Sequence, residues 1–330
     1  MRTLSGFRAL GMACLILLIF AVSYVSGSWG RNVHHGNSPG SSWGRGEVRA
    51  NFTPLLIPEC VLWLEAGWGV FKDTGGTLPS IEDSVVALWR DRSISDYNAA
   101  QGTNALRPIF KADVQNGRSA VRFDGIDDHL ITPRMEGEFT DGFTWFIVTA
   151  ADDGQPPTHQ SLFGSLDTSP SSNAYFYAFL RSGTNGLWCS VCENTVEKRQ
   201  NVKILNDGPT DFFITTLVAD PAGSLSGYLN RSGVTPESLT GLTWSNIAGA
   251  YTEEIALGGR MKDGVFESNY RYDGDIAELI IYGRALNEME RWRVESYLSR
   301  KYSITLLAAW DIQSECWYLL AVGGGNYHAR

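Results

Sequence analysis

The chain has 330 residues, 43% of them apolar and 12% aromatic, enough to fill the core of one large β domain or two ordinary ones. Its formal net charge is -9, and because the first fifty residues hold five arginines against one glutamate, the remainder carries about -13. An acidic body of that size excludes a nucleic-acid role, which rests on lysine and arginine neutralising phosphate, and agrees with a cation site or with plain solubility.

At the N-terminus Arg2 and Arg8 precede the apolar run Ala9–Val22, and Ser23, Ser26, Gly27 and Ser28 follow it. Positive, apolar and small residues in that order predict a secretory signal over residues 1–28. An uncleaved membrane anchor is the alternative, disfavoured because a spanning helix needs about 20 apolar residues. Either reading puts the protein in the secreted or cell-surface compartment, with membrane contact only through an uncleaved segment. Residues 29–53 read as a flexible Gly/Ser-rich linker that repeats Ser-Trp-Gly-Arg at 28–31 and 42–45. Its Gly40-Ser-Ser-Trp-Gly44 fits a hydrolase nucleophile pattern but lacks the strand and helix such a turn needs.

A single domain is expected over 54–303. Val61–Glu65, Val85–Trp89, Arg118–Phe123, Thr144–Thr149, Ala174–Leu180, Leu187–Val191, Phe212–Val218, Ser226–Leu229, Glu254–Leu257 and Asp275–Tyr282 are short runs rich in β-branched and aromatic residues, and turn clusters such as Asn206-Asp-Gly-Pro209 separate several of them. Strands at this spacing, with few helical patterns, predict an all-β, two-sheet antiparallel sandwich of jelly-roll type. One helix is expected near the end: Asn287-Glu-Met-Glu290 reads as a capping box, and Val294, Tyr297, Leu298 and Tyr302 form a stripe at helical spacing. Residues 304–330 make an apolar extension with Trp310 and Trp317, able to add a strand or remain apart.

Without Cys14 of the signal, four cysteines remain: Cys60, Cys189, Cys192 and Cys316. In a secreted chain they can pair, and Cys60 with Cys316 is the expected disulfide because chain ends often lie close. Buried reduced thiols are the alternative. Cys189-x-x-Cys192 has no second pair to complete a zinc site.

Several signatures appear in order between about Pro58 and Tyr302. They are Val61-Leu-Trp-Leu-Glu-Ala66, Trp89-Arg-Asp-Arg-Ser93, Asn98-Ala-Ala-Gln101, Arg107-Pro108, the turn–strand–turn–strand cassette Asn116–Ile131, and Gly274–Leu286 with its helix. Together they resemble the laminin-G-like jelly rolls of the concanavalin A-like lectin/glucanase superfamily. Glu65 stands where that family usually has Asp, Ile94 where it has Gly, and His129 where it has an aromatic. The resemblance implies a concanavalin A-like fold that more often binds carbohydrate or mediates adhesion than catalyses.

Three sets of side chains are candidates for chemistry. Asp124, Asp127 and Asp128 cluster in one turn and, with Asp91, offer the oxygen ligands that Ca²⁺ requires; the alternative is that they cap their own backbone. Asp273, Asp275 and Glu278 have the spacing of the catalytic motif of jelly-roll glucanases, with Asp where the first Glu is expected. Trp188, Trp244 and Tyr251 lie near turns and are candidates for stacking on sugar rings, whereas Trp63, Trp89 and Trp145 sit on apolar strands and read as core. No histidine sits in a nucleophile motif. The leading expectation is a non-catalytic module for a glycan or an extracellular matrix component, assisted by Ca²⁺. A glycoside hydrolase and a structural or protein-interaction module without a glycan ligand are the alternatives.

Overall fold

The computed structural model describes residues 52–153, 156–167, 174–180, 187–193, 196–202, 211–240, 244, 254–267 and 269–307. The expected signal, the linker up to residue 51, Tyr251, Cys316 and the tail from 308 onward lie outside the described residues. Runs of β-branched and aromatic side chains broken by Gly, Asp and Asn turns make twenty strands among them. In chain order the first are β1 (Cys60–Glu65), β2 (Val70–Phe71), β3 (Leu88–Trp89), β4 (Ala99–Ala100), β5 (Ile109–Gln115), β6 (Arg118–Asp124) and β7 (Leu130–Ile131). Then come β8 (Phe143–Ala151), β9 (Gln160–Asp167), β10 (Ala174–Leu180), β11 (Leu187–Glu193), β12 (Val196–Val202), β13 (Phe213–Asp220) and β14 (Ser224–Leu229). The series ends with β15 (Ser232–Gly233), β16 (Glu237–Ser238), β17 (Ala256–Leu257), β18 (Met261–Lys262), β19 (Val265–Phe266) and β20 (Asp273–Tyr282), followed by the helix α1 (Glu288–Tyr302).

The strands form two sheets. One runs β15-β14-β13-β8-β20-β6-β5, with β1 also on β20 and β16 on β14; the other runs β12-β11-β10-β9-β17-β7-β4-β3-β2. Pairing is antiparallel throughout except where β18 lies parallel to β9. The described residues thus form an all-β two-sheet sandwich with one C-terminal helix. Trp145, Ile147, Phe163, Leu217, Val121 and Phe123 belong to one buried apolar layer, together with residues of both sheets. Phe146, Val148, Trp63, Ile280 and Tyr282 belong to a second, which they share with Val294, Leu298 and Tyr302 of α1. Because β8 feeds both layers, all nine of its residues are buried, and it reads as a continuous apolar run rather than an alternation.

The helix begins where its sequence predicts. Glu290 N–H donates to Asn287 Oδ1 at 3.0 Å and Asn287 N–H donates to Glu290 Oε2 at 3.1 Å, closing a capping box. It ends at Ser303, which takes the left-handed conformation at φ 54°. No helix of the described residues is long and apolar enough to cross a membrane.

The cysteines depart from expectation. Cys60 is a free, buried thiol, so the expected pairing with Cys316 is not formed here; β1 carries Cys60 into the layer beneath α1. Cys189 is also free and fully buried, packed in the other apolar layer. Burial pushes both thiols well above their ordinary range, which makes them poor nucleophiles and poor metal ligands.

Candidate functional site

The acidic turn follows directly from the end of β6. Gly125 takes φ +68°, and a Cβ there would lie 2.8 Å from Asp273 Cβ, so only glycine lets the chain reverse against β20. Asp124 Oδ1 then accepts from the backbone N–H groups of Ile126 at 2.8 Å, Asp127 at 3.2 Å and Asp128 at 3.4 Å. The capping reading therefore holds for Asp124, and it is also what brings the three acids together: one carboxylate oxygen of each lies within 4.8 Å of the others. Asp128 is only 7% exposed, and its carboxylate accepts a backbone hydrogen bond from Asp124. Burial, and then the charges of Asp124 and Asp127, push its carboxyl up to about 7. Asp273 is raised too, by burial and then by Asp152, Asp124 and Asp153, so acids at the ends of β6 and β20 and just after β8 crowd one place.

Asp91 stands apart from this group. Its carboxylate accepts from Trp63 N–H (2.8 Å), Ser93 N–H (2.8 Å), Ser93 Oγ (2.6 Å) and Tyr97 N–H (3.0 Å). With its oxygens so engaged it pins the turn after β3 against β1, which makes it an anchor of the fold and not the fourth member of a cation site. His129 takes the place of the expected aromatic by stacking on Phe266, with centroids 3.9 Å apart and planes at 10°.

The glucanase-like triplet is not gathered in a cleft. Asp275 is buried and gripped by Arg122, with Nε–Oδ1 at 2.8 Å and Nη2–Oδ2 at 2.6 Å. A register shift in the β8 pairing between Ile276 and Glu278 re-aims the strand. Ile276 and Leu279 consequently join one layer while Ala277 joins the layer under α1. Glu278 is fully buried there, accepting from Trp63 Nε1 (2.7 Å), Lys301 Nζ (2.6 Å), Tyr302 OH (2.8 Å) and Tyr297 OH (3.2 Å). Lys301 also pairs with Glu65 at 2.8 Å, and burial pulls it down to about 8 against the pull of Glu278. These are the contacts of a sealed polar seam, closed to a sugar.

Of the aromatic candidates, Trp244 is a core plug: its Nε1 donates to Phe139 O at 3.0 Å and its ring stacks on Phe143 at 5.9 Å. Trp188 is half-buried on β11, and Tyr251 lies outside the described residues. Two features escape any motif. One is a cleft of about 340 Å³ on the first sheet, lined by Asp220, Ser224, Ser226, Tyr228, Asn287 and Arg291 among others. It exists because Ser224, Ser226 and Tyr228 alternate with the buried Leu225, Gly227 and Leu229 along β14, and α1 starts beside them. Arg291, itself buried, lies 3.7 Å from the Tyr228 ring centroid and donates to Glu295 at 2.7 Å. The hydroxyls of Ser224, Ser226 and Tyr228 have no partner among the described residues, so the cleft offers an aromatic edge, three hydroxyls, an amide, carboxylates and a guanidinium. The other feature is Trp68, 44% exposed in the Gly67-Trp68-Gly69 turn.

No family model matches the chain, and no curated protein matches it. Among solved structures it is similar to the botulinum neurotoxin serotype D binding domain, with a TM-score of 0.50 and 11% identity, covering 72% of this chain and 50% of that one. The serotype D ligand binding domain in complex with N-acetylneuraminic acid gives a TM-score of 0.48 at 11% identity, over 72% and 50% of the two chains. A structure titled NanB plus Optactamide gives 0.42 at 16% identity, over 54% and 27%. The chain spans about half the length of the neurotoxin domains. Likeness at this level defines a class, that of β-sandwich domains, and nothing finer.

Proposed function

We propose that this protein is a secreted or cell-surface, non-catalytic carbohydrate-binding module of the laminin-G-like kind, with Ca²⁺ bound at Asp124, Asp127 and Asp128. The observation that carries the reading is the cleft beside α1. Sugars are recognised by aromatic surface together with hydroxyl, amide, carboxylate and guanidinium groups, and the cleft holds all of these in a volume suited to a small ligand. The buried place of Glu278 supports a binding role over a glycosidase one, since hydrolysis needs two carboxyls facing the same bond. The buried carboxylate of Asp128, crowded by two further acids, supports the cation: a divalent ion would meet the charge that burial and two neighbours now oppose. The sialic-acid complex of the neurotoxin domain is a precedent for carbohydrate on a related sandwich, though fold alone does not carry function across.

The test is depletion of the full chain from solution by a panel of insoluble polysaccharides, with Ca²⁺ or with chelator. Selective depletion is expected, lost in Ser226→Phe, which fills the cleft from a half-exposed position. No depletion by any member of the panel would overturn the reading in favour of a structural or protein-binding module. For the cation, excess Ca²⁺ is expected to raise the unfolding midpoint over chelator, because a ligand held only by the native state stabilises it.

A further inference from the structure

We propose that Trp68 and Arg92 form a second carbohydrate contact, one that selects a pyranose bearing a carboxylate; the proposal rests on the carbohydrate-binding reading above. Trp68 lies in the turn between β1 and β2, and that turn has little slack. Trp68 N–H donates to Glu65 O at 2.9 Å, and Gly69 O accepts from Arg90 N–H at 2.8 Å. Gly69 takes φ +69°, and a Cβ there would sit 2.9 Å from Arg90 Cβ. The indole is thus presented to solvent from a fixed backbone, as a stacking surface should be.

Arg92 completes the platform. Its guanidinium carbon lies 4.0 Å from the Trp63 ring centroid and 5.1 Å from that of Trp68. Nη1 is taken by the Glu65 carboxylate, while Nε and Nη2 make no hydrogen bond among the described residues, and the side chain is 29% exposed. Packed by aromatic rings and tied at one nitrogen, the fork keeps two donors pre-aimed beside an open indole. Glu65 and Glu278 are balanced by Arg92 and Lys301, and the Asp91 carboxylate nearby is occupied by Trp63, Ser93 and Tyr97. An indole offers the apolar face that a pyranose ring needs, and a guanidinium with two open donors takes a carboxylate in bidentate fashion.

The probes are oligogalacturonate and its neutral counterpart oligogalactose, titrated into the full chain and followed by tryptophan fluorescence and calorimetry. Oligogalacturonate is expected to bind the more tightly. Trp68→Ala should weaken it roughly tenfold, as should Arg92→Lys, which keeps the charge and the reach to Glu65 but loses the fork. Depletion by neutral polysaccharides through the cleft should be unchanged in both variants, and the thermal midpoint of Trp68→Ala should match the parent because the residue is exposed. Unaltered oligogalacturonate affinity in both variants, or equal affinity for the acidic and neutral oligomers, would overturn the proposal. Binding of neither oligomer while the panel still depletes the chain would sink the platform and leave the cleft reading standing. Failure of the panel and of both oligomers would sink the two together.

Discussion

Asp128 concentrates the electrostatic strain of the acidic turn. Its folded carboxyl titrates near 7 instead of the ordinary 3.8. Between those values the folded chain holds a proton that the unfolded chain has released, so stability falls as pH rises through that window and the penalty is complete above it. Asp128→Asn removes the ionisation, and its unfolding midpoint should exceed the parent's at pH 8 by ~2–4 °C for each kcal/mol relieved, with no gain near pH 4. It should also lose the response to Ca²⁺. Thermal scans at the two pH values, with and without the ion, check both; a variant no more stable than the parent at pH 8 would remove Asp128 from the account. The turn was legible in the sequence because three acids within five residues announce themselves. Asp91 was legible as a turn residue, but not the four donors from Trp63, Ser93 and Tyr97 that occupy it, since Trp63 is brought there from 28 residues away. Trp68 carries no signal beyond its flanking glycines, for exposure is a property of the fold and not of a motif.

At the scale of elements, α1 and β20 meet over a polar seam inside an apolar layer. Glu278 and Glu65 are balanced there by Lys301 and Arg92, with Trp63, Tyr297 and Tyr302 supplying hydrogen bonds to Glu278. Lys301→Ala would leave the sealed carboxylate of Glu278 without its cation and should cost ~3–5 kcal/mol, read from the urea midpoint. A loss no larger than that of a surface pair, ~1 kcal/mol or less, would show that water reaches the seam. The helix itself was predictable from its capping box and stripe, because both are local. The fate of Glu278 was not: its spacing from Asp273 suggested catalytic carboxyls, and only the register shift in β20 sends it beneath the helix. A bulge is a relation between two strands, so a single strand's sequence does not declare it.

For the whole molecule, the sandwich was legible because apolar alternation and turn residues recur at regular spacing, and the inward set of β6, Val121 and Phe123, follows that alternation. Which strands neighbour which was not, since pairing joins residues far apart in sequence: Trp63 lies opposite Ile280, and Leu64 opposite Leu279. β20 is flanked by β8 on one side and by β6 and β1 on the other. It is therefore the strand on which the first sheet depends, and it is the last strand described. A ribosome delivers β1, β6 and β8 long before the strand that joins them, so the nascent chain spends most of its synthesis with three apolar edges waiting. Protease resistance of stalled nascent chains should appear only once the chain has emerged through α1. Resistance already present in chains stopped before Asp273 would mean that the sheet closes without β20. A protein assembled in this order closes its first sheet late, and its exposure to chaperones and to misassociation is set by when residues 273–302 arrive.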